Sequence, residues 1–447
     1  TKKLVLLSAL CFYFFELNAQ NTNEGIEDAW IFFTNKPQAS YYIENPNIIL
    51  SSRALQRRAR QQIGVNVVDT PVHQAYIDSI QRFEVVIKAK SKWLNAVHVQ
   101  GTQQNIQALA NISFVDDVEF ANRSLNIAAK VLPVSETDTL SKFELVNHRS
   151  TENFTYGQAA MQVQMIKADY LHQNNFTGQN KHIAVIDAGF PNVNTTSAFS
   201  RIRNNNQILT TYNYVTANPN VYVGNSHGTS VLSTMAGYIT NQFVGTAPDA
   251  KFHLFVTEAD NYEGPLEESW WVEALEKADS LGVDVVNSSL GYRTFDNSNY
   301  NYTTANMDGQ TSFIARGANV ALSRGMIVVN SNGNYRSSAW RIMGTPADNQ
   351  NVFSVGAVDA NRAIGWFSSP GPTADMRIKP DVAAMGTSVK VININSGIVT
   401  TNGTSFASPI IAGAIACFWE AFPDKTASEI LNLVRQSAHL YQNPNYD

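Results

Sequence analysis

The sequence predicts an α/β protein: a mostly parallel sheet flanked by helices, preceded by a small α+β unit. Three observations carry this. From Met161 onward, short and fully apolar runs alternate with helical segments, the pattern of a parallel sheet with crossover helices. Upstream, strands alternate with two helices within about a hundred residues, enough for one compact module. The chain has 447 residues, 44% hydrophobic and 15% charged, which suits two or three domains with a large core and excludes a disordered chain.

The first segment reads as a signal peptide. Lys2 and Lys3 precede an apolar run over residues 4–15, and Leu17-Asn18-Ala19 offers a cleavage site before Gln20. The run is short for a bilayer span, so residues 1–19 predict export, to the extracellular space or the cell surface. Cys11 follows Leu10, which is not small, so lipidation there is discounted. Residues 20–129 make the small unit. Strands are expected over 30–33, 83–90, 93–99 and 115–120, and helices over 51–62 and 102–110. The first helix carries Arg57, Arg58 and Arg60, read as a solvated basic face. Residues 130–157, polar and marked by Pro133, read as a linker.

The larger unit, 158–447, has apolar strand runs at 182–186, 251–256, 283–287, 326–329 and 352–355. Residues 267–281 form a helix with Trp271, Leu275 and Ala278 on one face, a Glu273–Lys277 pair on its surface, and Gly282 as its stop. Residues 315–324 form another, stopped by Gly325. A third, over 406–422, is long and apolar, with Pro409 placed in its first turn. No stretch after the signal reads as a membrane span. The net charge of −5 offers no basic face for nucleic acid. Of two cysteines, Cys11 leaves with the signal, so no disulfide is expected, and Cys417 reads as a small buried hydrophobe.

Three stretches bring chemistry to the ends of these elements. Asp187 ends the strand 182–186, and the carboxyl ends of parallel strands are where α/β sites form. His227, in Ser226-His227-Gly228-Thr229, opens a helix, whose dipole favours the neutral imidazole that a general base needs. Ser405, in Gly403-Thr404-Ser405-Phe406-Ala407-Ser408-Pro409, opens the long apolar helix, where backbone N–H groups lack intrahelical partners and can face an oxyanion. Taken alone, Asp187 is equally well read as a turn Asp, while His227 is better read as a core or capping His and Ser405 as a helix cap. Ser331-Asn332-Gly333-Asn334 runs off a buried strand into a Gly-Asn turn, and an amide side chain there could donate to an oxyanion, a contact worth roughly 3–4 kcal/mol in the transition state, or the stretch could be an ordinary Asn turn.

On these motifs the chain resembles the subtilases, subtilisin-like serine peptidases, from about Gln158 to its end. The order Asp, His, Ser is theirs. Further matches are Val244-Gly245-Thr246-Ala247-Pro248, Val285 to Gly291, the Phe367 to Pro372 stretch and Lys379-Pro380-Asp381-Val382. The resemblance implies a subtilisin-like fold and serine-type endopeptidase activity. Asp187 would orient the imidazole, His227 would act as base then acid, Ser405 as nucleophile, and Asn334 as oxyanion donor. Ser289, Leu290 and Gly291 would pair with the substrate backbone. It also implies that the N-terminal unit is a propeptide, an intramolecular inhibitor and chaperone of a zymogen. The expected partners are polypeptide substrates and this propeptide. No cofactor is required; calcium is common in the family, but no carboxylate cluster here has ligand spacing. Ala188 stands where the family usually has Ser or Thr, removing one hydrogen bond near Asp187. The chain starts without Met and stops at Asp447, which reads as a fragment.

Two other function classes compete. One is a catalytically silent subtilase-like binding protein, which four intact catalytic positions argue against. The other is an esterase or amidase of the α/β-hydrolase type. That class needs a Gly-Xaa-Ser-Xaa-Gly elbow and the order Ser, Asp, His; around Ser405 the second Gly is absent and the order differs.

Overall fold

The computed structural model describes residues 25–126 and 153–446. The signal-peptide reading, Cys11, and residues 130–152 of the linker reading lie outside the described residues.

The N-terminal module runs β1 (Ile26–Phe33), α1 (Ala39–Glu44), α2 (Ser52–Arg60), α3 (Gln74–Ile80), β2 (Val86–Ser91), β3 (Ala96–Thr102), α4 (Gln103–Ala108) and β4 (Val115–Phe120). Its strands pair antiparallel in the order β2-β3-β1-β4. Ala29, Ile31 and Phe33 alternate onto one face, where Ile77, Ile80 and Ile106 close the module's own core. Three strands differ from the sequence reading in where they begin, and β1 starts four residues early, at Ile26. Glu84 turns the chain at φ 56°, so β2 begins at Val86. Residues 93–95 are the β2–β3 hairpin turn, closed by Asn95 at φ 50°, a conformation Asn tolerates better than most side chains.

The larger unit continues α5 (Ala160–Met165), α6 (Ala168–Gln173), β5 (His182–Asp187), α7 (Ser200–Asn204), β6 (Ile208–Asn213), α8 (His227–Ala236), β7 (Tyr238–Ile239), β8 (Phe243–Val244), β9 (Lys251–Val256), α9 (Pro265–Leu281) and β10 (Val285–Ser288). It ends with α10 (Phe313–Ser323), β11 (Ile327–Ser331), β12 (Val352–Val358), β13 (Val382–Met385), β14 (Val389–Ile392), β15 (Ile398–Thr401), α11 (Thr404–Ala421) and α12 (Ala427–Ser437). Seven strands form one parallel sheet in the order β13-β12-β11-β10-β5-β9-β6. Side chains alternate across it. Ile183, Val185 and Val285 pack with Leu232 and Met235 of α8 and Ile410 of α11. Ala184, Ile186 and Val286 pack with Trp271 and Leu275 of α9 and Phe313 of α10. Both faces are therefore covered, which is why these strands read as unbroken apolar runs.

Helix α11 is long and apolar enough to cross a membrane by length and composition, contrary to the sequence reading, but 83% of it is buried at the centre of this core.

The N-terminal module sits on the α9–α10 face. Trp30 stacks on Phe313 at 4.9 Å and donates through Nε1 to Ser269 Oγ at 2.8 Å. Glu276 of α9 accepts from the Lys92 and Trp93 backbone N–H groups, both at 3.0 Å, and from Ser91 Oγ at 2.7 Å. Glu273 accepts from the Lys90 N–H at 2.7 Å rather than pairing with Lys277 as its spacing predicts. The basic face of α2 is also corrected: Arg57 and Arg58 are each only 1% exposed, because Asp279 and Asp69 lie against them.

Candidate active site

Asp187 ends β5, fully buried, beside the end of β9. His227 is the first residue of α8. The helix meets the strand end closely because residue 228 is Gly: a Cβ there would stand 2.4 Å from the Gly189 carbonyl oxygen and 2.9 Å from Asp187 Cβ. Across this contact His227 Nδ1 donates to Asp187 Oδ1 at 2.8 Å, and the Ala188 N–H donates to the same oxygen at 2.8 Å. An ionised carboxylate only accepts, so Nδ1 carries the proton and the Nε2 lone pair is left free. Asp187 Oδ2 has no partner among the described residues, in keeping with the absent hydroxyl at Ala188. Burial opposes a charge on His227. The Asp187 charge and hydrogen bond, helped by Glu258, outweigh it, and the imidazole is held above its ordinary value. The helix-dipole expectation of a more neutral His is thus overridden by its partner.

Ser405 lies in the first turn of α11, with Gly403, not Ser405, at the cap. The helix begins two residues earlier than its apolar pattern suggested, so Pro409 falls beyond the first turn. Pro409 has no N–H to give the Ser405 carbonyl, its normal i−4 acceptor. The Ser289 hydroxyl donates to that carbonyl instead, at 2.8 Å. Ser405 Oγ in turn donates to the Ser289 carbonyl at 3.4 Å, and no hydrogen bond joins it to His227. The His227 ring lies over the same turn, its centroid 5.6 Å from that of Phe406.

Asn334 is exposed, and its Oδ1 accepts from both the Thr404 N–H and the Thr404 hydroxyl at 2.9 Å. This fixes the amide orientation, since two donors cannot face an NH2 group. Nδ2 is left without a partner among the described residues. Asn332 is different: fully buried, with its Nδ2 donating to the Ser369 carbonyl at 2.7 Å. Gly333, at φ 102°, turns the chain between them. Ser289, Leu290 and Gly291 follow β10 and run from buried to exposed, before Tyr292 bridges back to Thr345.

Sequence reasoning missed Thr404, whose two donors hold Asn334, and Glu258. Glu258 lies two residues past β9, beside the strand that carries Asp187. Burial pushes its carboxyl up to about 8, although the Tyr292 and Thr257 hydroxyls donate to it. The signal available was a carboxylate just beyond a strand neighbouring β5. Cys417 is fully buried and its thiol, raised by burial, donates to the Thr246 carbonyl at 3.2 Å. Among the described residues no group of three or more His, Cys, Asp or Glu is placed to hold a metal ion.

Residues 28–138 match the family model described as Peptidase S8 propeptide domain, Bacteroidota, and residues 178–447 match that of the Subtilase family. Subtilisin DY of Bacillus licheniformis is 30% identical over 278 residues, 62% of this chain and 90% of that protein. Subtilisin E of Bacillus subtilis (strain 168) is 29% identical over 309 residues, 67% of this chain and 70% of that protein. A looser likeness, on which nothing here rests, is to the crystal structure of MycP1 with the N-terminal propeptide removed (TM-score 0.46, 21% identity, 61% of this chain and 87% of the other). The chain belongs to the subtilase family, homologous to the subtilisin serine proteases, and is a precursor that carries its propeptide domain.

Proposed function

We propose that this chain is the precursor of a secreted serine endopeptidase that works through an acyl-enzyme on Ser405. The observation that carries the reading is the His227 Nδ1–Asp187 Oδ1 hydrogen bond of 2.8 Å, which leaves Nε2 as the base above the first turn of α11. Ser405 Oγ attacks the scissile carbonyl carbon while its proton passes to Nε2. The oxyanion that forms is met by Asn334 Nδ2 and the Ser405 N–H. Collapse breaks the C–N bond, and His227 returns the proton to the leaving amine. Water, deprotonated by the same His, then frees the acid. The backbone of Ser289, Leu290 and Gly291 supplies the edge on which a substrate strand lies.

In the precursor the Ser405 hydroxyl rests on the Ser289 carbonyl at 3.4 Å, and this reading requires it to leave that contact for His227. That resting contact is also the one observation favouring a catalytically silent binding protein. Hydrolysis of a polypeptide substrate, followed by mass spectrometry of the products, separates the two. Cleavage by the processed wild type and none by Ser405→Ala is expected. Equal cleavage by both, or none by either after removal of the propeptide, contradicts the proposal.

A further inference from the structure

Two arginines of α2, Arg57 and Arg58, are buried in an unusual place, and Arg53 lies half-buried beside them. Arg57 donates from Nη2 to Asp279 Oδ1 at 2.5 Å and to the Arg324 carbonyl at 3.1 Å, and from Nη1 to the Val283 carbonyl. Arg53, one turn earlier, donates from Nε to the Gly282 carbonyl at 2.9 Å and from Nη2 to the Asn180 carbonyl at 2.9 Å and to Asp284 Oδ2. Arg58 joins Asp279 Oδ2 at 2.6 Å to the module's own Asp69 at 2.8 Å. Asp279 and Asp284 are 0% and 1% exposed. Gln61 Nε2 donates to the Gly325 carbonyl at 2.9 Å.

Apart from the Asn180 carbonyl, which precedes β5, the acceptors on the larger unit share an origin. Gly282 and Gly325 are the left-handed stops of α9 and α10, at φ 81° and 80°. Helix ends leave carbonyls without partners and carry the negative end of the dipole. A Cβ on Gly282 would stand 2.7 Å from the Ala54 backbone nitrogen, so α2 approaches this end as closely as a backbone can. The place is also remote from the reacting groups. Asp284 precedes β10 and accepts from the His182 N–H at 2.9 Å, at the amino end of β5; Asp187 lies at the carboxyl end of that strand. Five residues of parallel strand separate the two, about 16 Å at ~3.3 Å per residue.

We propose that Asp279, Asp284 and the carbonyl ends of α9 and α10 form a guanidinium-binding site on the peptidase domain. Its ligand is a helix presenting two arginines at i and i+4. In the precursor the site is filled by Arg53 and Arg57 of the propeptide, and it retains the propeptide after the connecting chain is cut. Arginine is required rather than any cation. Arg57 meets its three acceptors from two separate nitrogens of one rigid planar fork, whereas an ammonium carries its three donors on a single atom at the end of a flexible stem. Release breaks the Arg57–Asp279, Arg58–Asp279 and Arg53–Asp284 pairs together, which opposes it. The inference does not depend on how Ser405 acts.

The test uses the full chain with Ser405→Ala, so that any activity of its own is silent, and a site-specific protease sequence inserted between residues 127 and 152. After the cut, retention of the N-terminal fragment is measured by size exclusion and its dissociation constant by titration. Arg57→Lys and Asp279→Asn should each weaken retention by about 30-fold or more, the effect of breaking a buried charge pair. The double variant should be no weaker than the worse single one. Millimolar argininamide should displace the fragment where lysinamide at equal ionic strength does not. Near-wild-type retention of Arg57→Lys, or equal displacement by both amides, overturns the proposal. Should the uncut Arg57→Lys chain fail to melt cooperatively, Arg53→Lys, at a side chain 26% exposed, carries the same test with the same two outcomes.

Discussion

Replacing Thr404 by Val removes one hydroxyl and leaves the shape of the side chain. In the structure that hydroxyl donates to Asn334 Oδ1 at 2.9 Å and accepts from the Gly333 N–H at 3.2 Å. The Thr404 backbone N–H still holds Asn334 Oδ1 at 2.9 Å, so the amide keeps one of its two anchors. A neutral hydrogen bond contributes about 1 kcal/mol net, and an oxyanion donor about 3–4 kcal/mol in the transition state. Loosening the donor without removing it should therefore cost about 1–2 kcal/mol, or about 5- to 30-fold in kcat, with KM nearly unchanged. Asn334→Ala should cost about 100- to 1,000-fold. Because Thr404 acts through Asn334, the double variant should be no slower than Asn334→Ala alone. The assay is kcat and KM of the processed enzyme on a peptide amide for all four members of the cycle. Multiplying effects would refute the reasoning, as would a Thr404→Val enzyme at full kcat.

Three further outcomes are expected. The base form of His227 is neutral, and its partners raise its pKa, so kcat/KM should fall on the acid side at a pH above the ordinary histidine value; Asp187→Asn should move that limb to lower pH and slow the reaction, and a limb at or below the ordinary value in the wild type would contradict the pairing. Gly228→Ala puts a Cβ against the Gly189 carbonyl and must part α8 from β5, so activity should drop by about 100-fold or more, read as kcat/KM of the folded variant. Ser289→Ala strips the Ser405 carbonyl of the hydroxyl that replaces the missing Pro409 donor, so the melting curve should report about 1–3 kcal/mol less stability.

The residues of the candidate site stand out in the sequence because each one lies at the end of a strongly marked element. Asp187 closes an apolar run, Gly228 follows His227, and Gly403 precedes the turn that holds Ser405. Periodicity gave the strands β4 and β9 to the residue, since both faces or one face of each run are apolar. What stayed hidden depends on partners distant in the chain. Arg57 and Arg58 read as solvated because nothing local signals Asp279, more than two hundred residues on. Glu273 and Lys277 have the spacing of a surface pair, yet the face is covered by β2. The choice of Asn334 over Asn332 rested on a motif; the geometric reason, the two donors of Thr404, exists only once α11 is packed against the end of β11. A helix starting at Phe406 would seat Pro409 in its first turn, whereas the fold starts the helix at Thr404 and accommodates Pro409 by borrowing the hydroxyl of Ser289.

The central claim is that Ser405 is a nucleophile activated by His227. A fluorophosphonate probe reacts only with such a serine, and intact-mass and peptide-mass measurement locate the adduct. After removal of the propeptide, one adduct should appear on the peptide containing Ser405, and Ser405→Ala and His227→Ala should carry none. An unlabelled wild-type enzyme, or label on a different serine, would contradict the account.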